Sequence, residues 1–143
     1  MNFSRISLIS VAFLFFLASC EKEEMIECEV YIDGAWQMTQ IRKSPEYLDG
    51  GEDGLAMSVL EEITYPAEAR NNQIEGTVRL RYEVTRFGTV EIITVMEDIG
   101  AGCGDEAKRA FGKATEGVSF SPAEIDNEPV RVRKEVPVLF RLE

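Results

Sequence analysis

Histidine is absent from the 143 residues, and with it go Ser-His and Cys-His catalysis and the commonest protein metal ligand. Proline is scarce, five in all, with none between Glu21 and Ser44. Cysteine is limited to Cys20, Cys28 and Cys103. The apolar run from Ile6 to Leu17 is too short to cross a bilayer as a helix, which takes about 20 residues. Basic residues are outnumbered, 15 against 26 acidic, for a net charge of −11. That balance argues against nucleic acid and anionic lipid headgroups as partners.

Two glycine-rich stretches also fall short of the motifs they suggest. Gly100-Ala101-Gly102-Cys103-Gly104 has Asp105 and Glu106 where a dinucleotide fingerprint has its third glycine, and no Lys-Ser or Lys-Thr follows as in a P-loop. The acidic cluster from Asp49 to Gly54 fails as an EF-hand, because Gly51 and Leu60 stand where oxygen ligands are required. No cofactor, no metal and no enzymatic activity are expected.

What is present begins with a targeting signal. Arg5, the short apolar run and Leu17-Ala18-Ser19-Cys20 suit a secretory signal, and the tetrapeptide resembles a bacterial lipobox. The resemblance implies cleavage before Cys20, lipidation of its sulfur and a membrane partner through that lipid. Removing residues 1–20 takes away Arg5 and no acidic residue, leaving 14 basic against 26 acidic and a charge of −12. Glu21-Lys22-Glu23-Glu24 reads as a solvated tether. It also resembles the acidic export signals of surface lipoproteins of Bacteroidetes, so the expected location is the outer membrane, on its periplasmic face or at the cell surface. In such a compartment Cys28 and Cys103 pair as a disulfide in one reading. In the other, Cys103 is simply a small buried hydrophobe.

The segments divide as a leader over 1–20, a tether with an added strand or hairpin over 21–40, and one domain over 41–143. Asp33-Gly34 between short apolar runs marks the added hairpin. Leu55, Val59, Leu60 and Ile63 share one helical face, and Pro66 opens a short helix over Ala67 to Asn72. Val78, Leu80, Tyr82 and Val84 alternate with polar residues, Arg86-Phe87-Gly88 reverses the chain, and Val90 to Met96 returns as a β-branched strand. Gly88 is expected to supply a positive φ. Gly102 to Thr115 follows as a helix with small apolar residues on one face. From Val130 to Leu142 alternation resumes, interrupted inside only by Lys134.

The prediction is an α+β fold, a three-stranded antiparallel or mixed sheet in the order β-β-α-β packed against helices. Its core is expected to hold Val78, Leu80, Tyr82, Val84, Val90, Ile92, Ala107, Ala110, Phe111, Val136, Val138 and Phe140. If the crossover is right-handed, the last strand lies beside the first and leaves its outer edge open. Pro137 within it is tolerated only on a non-pairing side.

Pro45-Glu46-Tyr47, Gly50-Gly51, Tyr65-Pro66, Ala69, Ile74-Glu75-Gly76-Thr77-Val78, Val84, Gly88-Thr89-Val90, Ile99 through Ala107, Phe120-Ser121-Pro122-Ala123, Pro129-Val130 and Pro137-Val138-Leu139-Phe140 occur in an order that resembles the C-terminal domain of TonB in its Bacteroidetes form. The resemblance implies a non-catalytic envelope module whose last strand pairs with a short peptide of an outer-membrane receptor. It places the docking edge at Val130, Arg131, Val132, Arg133, Lys134 and Glu135, with Tyr65 and Pro66 alongside. Such a module, accessory to outer-membrane transport, is the first reading. A structural envelope lipoprotein that self-associates through its sheet edge, as a homodimer or within a complex, is the second. A working transducer also has a membrane helix and a long proline-rich linker. Glu21 to Ser44 spans 24 residues and reaches only roughly 80 Å, so energy transduction is not expected.

Overall fold

A computed structural model describes residues 25–117 and 120–142. The strands are β1 (Ile26–Ile32), β2 (Ala35–Ile41), β3 (Gly76–Val84), β4 (Val90–Glu97), β5 (Ala123–Ile125), β6 (Glu128–Val130) and β7 (Val132–Phe140). The helices are α1 (Gly51–Glu62), α2 (Ala67–Asn71) and α3 (Cys103–Ala114). β3, β4, α3 and β7 form the predicted β-β-α-β unit, but the sheet has five strands rather than three, in the order β2-β1-β7-β3-β4, antiparallel throughout. The additional pair is the β1–β2 hairpin, closed by Asp33 and Gly34 at φ 51° and 82°, the double positive φ of a two-residue hairpin loop. β5 and β6 form a second small sheet. Val130 therefore belongs to β6, opposite Ala123, and the last long strand begins at Val132.

Alternation decides the faces. Val78, Leu80, Tyr82 and Val84 of β3 and Val132, Val138 and Phe140 of β7 are buried beneath the helices. α3 approaches closely because its inner face is Cys103, Gly104, Ala107, Ala110, Phe111 and Ala114, and the Phe111 ring lies 4.7 Å from that of Tyr82. Among the described residues, no helix packs on the opposite face of the sheet. There Arg131 meets Glu83 at 3.2 Å and Glu91 at 2.7 Å, Arg133 meets Glu83 at 3.0 Å, and Arg81 meets Glu135 at 2.8 Å.

One expected core residue, Ile92, and one residue expected on the shared face of the first helix, Leu60, lie elsewhere. Ile92 is 60% exposed with φ 48°, because the β3–β4 register shifts between Tyr82 and Glu83 and leaves it as the extra residue of a bulge. Leu60 faces outward from α1, whose buried residues are Leu55 and Val59. Val90 and Val136 are half-buried at the margin of the core. Gly88 has the expected positive φ, 78°. Its carbonyl also accepts from the Phe120 amide at 2.7 Å, which fastens the hairpin loop to the segment after α3. Among the described residues no helix is long and apolar enough to cross a membrane.

Candidate functional site

β7 pairs with β3 along its full length, from Val132↔Val84 to Phe140↔Gly76. Its other edge is covered only at the start. β1 pairs with it at Glu29↔Arg133 and Val30↔Val132, and the Tyr31 amide donates to the Arg131 carbonyl at 2.9 Å. Beyond Arg133, no described strand pairs with the outer edge of β7.

Side-chain charge gives a reason for the ladder to stop there. Glu29 faces Arg133, a favourable cross-strand pair. Continued in the same register, β1 would place Glu27 opposite Glu135, and like charges directly opposed are destabilising. β1 stays with β2 as far as Ile26↔Ile41, so it diverges from β7. The resulting cleft of about 540 Å³ is lined by Ile26, Glu27, Cys28, Lys134 and Glu135, among others. Lys134 is held within it by Glu52 at 3.5 Å and by the Pro45 carbonyl at 3.5 Å.

The backbone alternation of the exposed stretch follows from the Tyr31–Arg131 bond. In an antiparallel ladder, alternate residues direct both N–H and C=O to the same neighbour. Arg131, Arg133, Glu135, Pro137 and Leu139 therefore point outward, and Val132, Lys134, Val136, Val138 and Phe140 bond to β3. Pro137 sits where its missing N–H removes no bond to β3, as expected of a proline at an edge. Glu135 and Leu139 retain outward donors, and the carbonyls of Glu135, Pro137 and Leu139 are outward acceptors.

The residues expected to form one site occupy two ends of this strand. Tyr65 packs edge-to-face on Phe140 with ring centres 5.6 Å apart, its hydroxyl donates to the Ile74 carbonyl, and Pro66 lies next to Gly102. Val130, Arg131, Val132 and Arg133 are at the other end, roughly 27 Å away at about 3.4 Å per residue. They are occupied already: Val130 by β5, Val132 and Arg133 by β1, and Arg131 by Tyr31, Glu83 and Glu91. Arg133 also stacks on Trp36, with its guanidinium 3.7 Å from the ring centre. The unpaired edge runs from Lys134 and Glu135 through Pro137 to Phe140. Sequence reasoning missed its second half, although Pro137 marks it.

The cysteine pairing is not formed, and both thiols are free. Cys28 on β1 donates to the Arg133 carbonyl at 3.4 Å, and burial pushes its pKa up against the opposing pull of Lys134. Cys103 begins α3, where burial and then Asp98 push its thiol up. Neither is an activated nucleophile. Cys20 lies outside the described residues.

The model of a family described as Gram-negative bacterial TonB protein C-terminal matches residues 61–142. No curated protein and no solved structure matches the chain. The match takes in α2, β3, β4, α3 and β5 to β7, and leaves the β1–β2 hairpin and nearly all of α1 outside it.

Proposed function

This chain belongs to the Gram-negative bacterial TonB C-terminal family, and from that premise we propose that it is a non-catalytic binding module of the cell envelope that captures an extended peptide by strand addition. The peptide lies along the outer edge of β7 between Glu135 and Leu139, and the Tyr65–Phe140 pair marks the far end of the site. A lipid on Cys20 holds the module to the outer membrane. Its partner is an outer-membrane receptor peptide or another envelope protein, in a role accessory to transport.

The observation that carries this reading is the exposed half of β7. Its outward N–H and C=O groups face no described strand, although β7 lies inside the sheet between β1 and β3. Main-chain hydrogen bonds would supply affinity and alternate side-chain contacts selectivity. The face of the cleft also offers charge of both signs, with Lys134 and Glu135 adjacent.

Titration of the 15N-labelled protein with synthetic peptides copying receptor plug segments tests the site. The Glu135 and Leu139 amides are expected to shift most. Leu139→Pro removes an outward donor without touching the β3 ladder, and it is expected to weaken binding about threefold to tenfold, one main-chain hydrogen bond's worth, with the amide spectrum otherwise retained. Unchanged affinity in this variant would discard the β7 edge as the docking site.

A further inference from the structure

Acidic residues outnumber basic ones in this chain, 26 to 15, so a cation without an acidic partner is unexpected. Eight basic side chains of the described residues lie 2.7–3.5 Å from their nearest carboxylate. Arg70 and Arg141 have no ion pair among the described residues. Both line one cleft of about 460 Å³, together with Tyr65, Gln73 and Leu142. Glu75, just before β3, is engaged elsewhere, its Oε1 accepting from the Leu142 amide at 2.6 Å.

This cleft stands where the open edge of β7 ends. Tyr65 packs on Phe140 from the helix side of the sheet, and Arg70 follows on α2, whose Ala69 is buried. Arg141 comes from the other side. Val138 and Phe140 are buried beneath the helices, so the alternation that puts Leu139 on the opposite face continues to Arg141. Two guanidinium groups therefore reach one cleft from the two faces of the sheet, and an anion between them lies near the plane of the strands. The side chains of an added strand stand out of that plane, toward one face or the other. A group within it is the end of the strand's own backbone. An α-carboxylate also suits guanidinium chemically, because the planar fork binds carboxylate through paired hydrogen bonds.

We propose that the docked peptide ends at this cleft, with its free C-terminal carboxylate held between Arg70 and Arg141. This ending presupposes strand addition at β7, and it narrows the partner to a polypeptide with an exposed, extended C-terminus. It also fixes direction: the peptide runs parallel to β7, with its last residue beside Arg141. Glu135 to Arg141 spans about 20 Å at about 3.4 Å per residue, the length of a hexapeptide. The other end of the edge is unsuited to an anion. There the cleft beside β1 holds Glu27, Glu29, Glu52 and Glu135, and its cations are already engaged, Arg133 with Glu83, Arg81 with Glu135 and Lys134 with Glu52.

The probe is an N-acetylated hexapeptide of alternating threonine and valine, made once as the free acid and once as the C-terminal amide, and titrated into the 15N-labelled full-length chain in detergent micelles. The acid is expected to bind about tenfold more tightly and to shift the Nε–H signals of Arg70 and Arg141. The net charge of −11 opposes any anion, so a preference for the acid reports a local cation pair. Arg70→Gln combined with Arg141→Gln should abolish the preference and leave the affinity for the amide unchanged, which a variant that had lost its fold would not do. An acid that binds no better than the amide, or does not bind, overturns the proposal. So does an amide ending in aspartate that matches the free acid, because the cleft would then take a side chain. Strand addition is read separately: it stands if the amide peptide still moves the Glu135 and Leu139 signals, and silence of those signals with both peptides counts against both proposals.

Discussion

At Gly88, two constraints meet on one α-carbon. The φ of 78° is costly for a side-chain-bearing residue, and a Cβ built there lies 1.9 Å from the Phe120 carbonyl oxygen. Gly88→Val is expected to cost about 2 kcal/mol or more and to lower the melting temperature by roughly 5–10 °C; an unchanged melt would show that the loop and the Phe120 segment relax freely. Glu106 is a second such residue. Its carboxylate accepts from the Thr64 amide at 2.6 Å and from Arg109 at 2.7 Å, so it fastens α3 to the link before α2. The Arg109 hydrogen bond, followed by that of Thr64, holds its pKa below the ordinary carboxylate value. A carboxyl whose pKa is lowered by folding stabilises above its unfolded pKa, and that contribution is lost as pH falls through the folded one. Glu106→Gln should cost about 1 kcal/mol at neutral pH. It should also flatten the loss of melting temperature between pH 5 and pH 3, and parallel acid profiles for the two proteins would contradict the assignment.

At the scale of elements, the contest between β1 and a peptide for β7 sets the length of exposed edge. β1 and β2 share seven register pairs, whereas β1 and β7 share two. If Glu27 facing Glu135 is what ends the second ladder, Glu27→Lys should extend it, because an opposite-charge pair replaces a repulsive one. Hydrogen exchange at the Glu135 amide is expected to slow, and peptides should bind β7 more weakly in this variant. Faster or unchanged exchange there would mean that backbone twist, not charge, separates the strands. The same scale explains Ile92. Its hydrophobicity and β-branching suit a strand interior, and only the register of β4 against β3 reveals that it is the inserted residue.

For the whole molecule, the prediction concerns location. With Cys20 acylated, the chain should take up an alkyne-tagged palmitate in growing cells, and Cys20→Ala should abolish the labelling while leaving a processed or unprocessed chain detectable by antibody. Protease added to intact cells and to lysed cells then separates the two faces of the outer membrane. Digestion only after lysis would place β7 within reach of receptor plug segments. Digestion on intact cells would remove those peptides as partners and leave an adhesive or assembly role at the cell surface.

The sequence alone determined the elements whose information is local. The alternation of Val78 to Val84, the small-residue face of Cys103 to Ala114, the Asp33-Gly34 turn, the glycine at 88 and the edge-only proline at 137 each follow from backbone geometry and burial within a few residues, and the order of motifs carried the family. The tertiary structure decided which edges remain unpaired. The inner face of a strand is written in its own period of two, but its neighbour is not, because pairing joins segments about 100 residues apart such as Val30 and Val132. For that reason Val130 to Arg133 read as an edge and is covered, while Pro137 to Phe140, beside Tyr65, is where the sheet stays open.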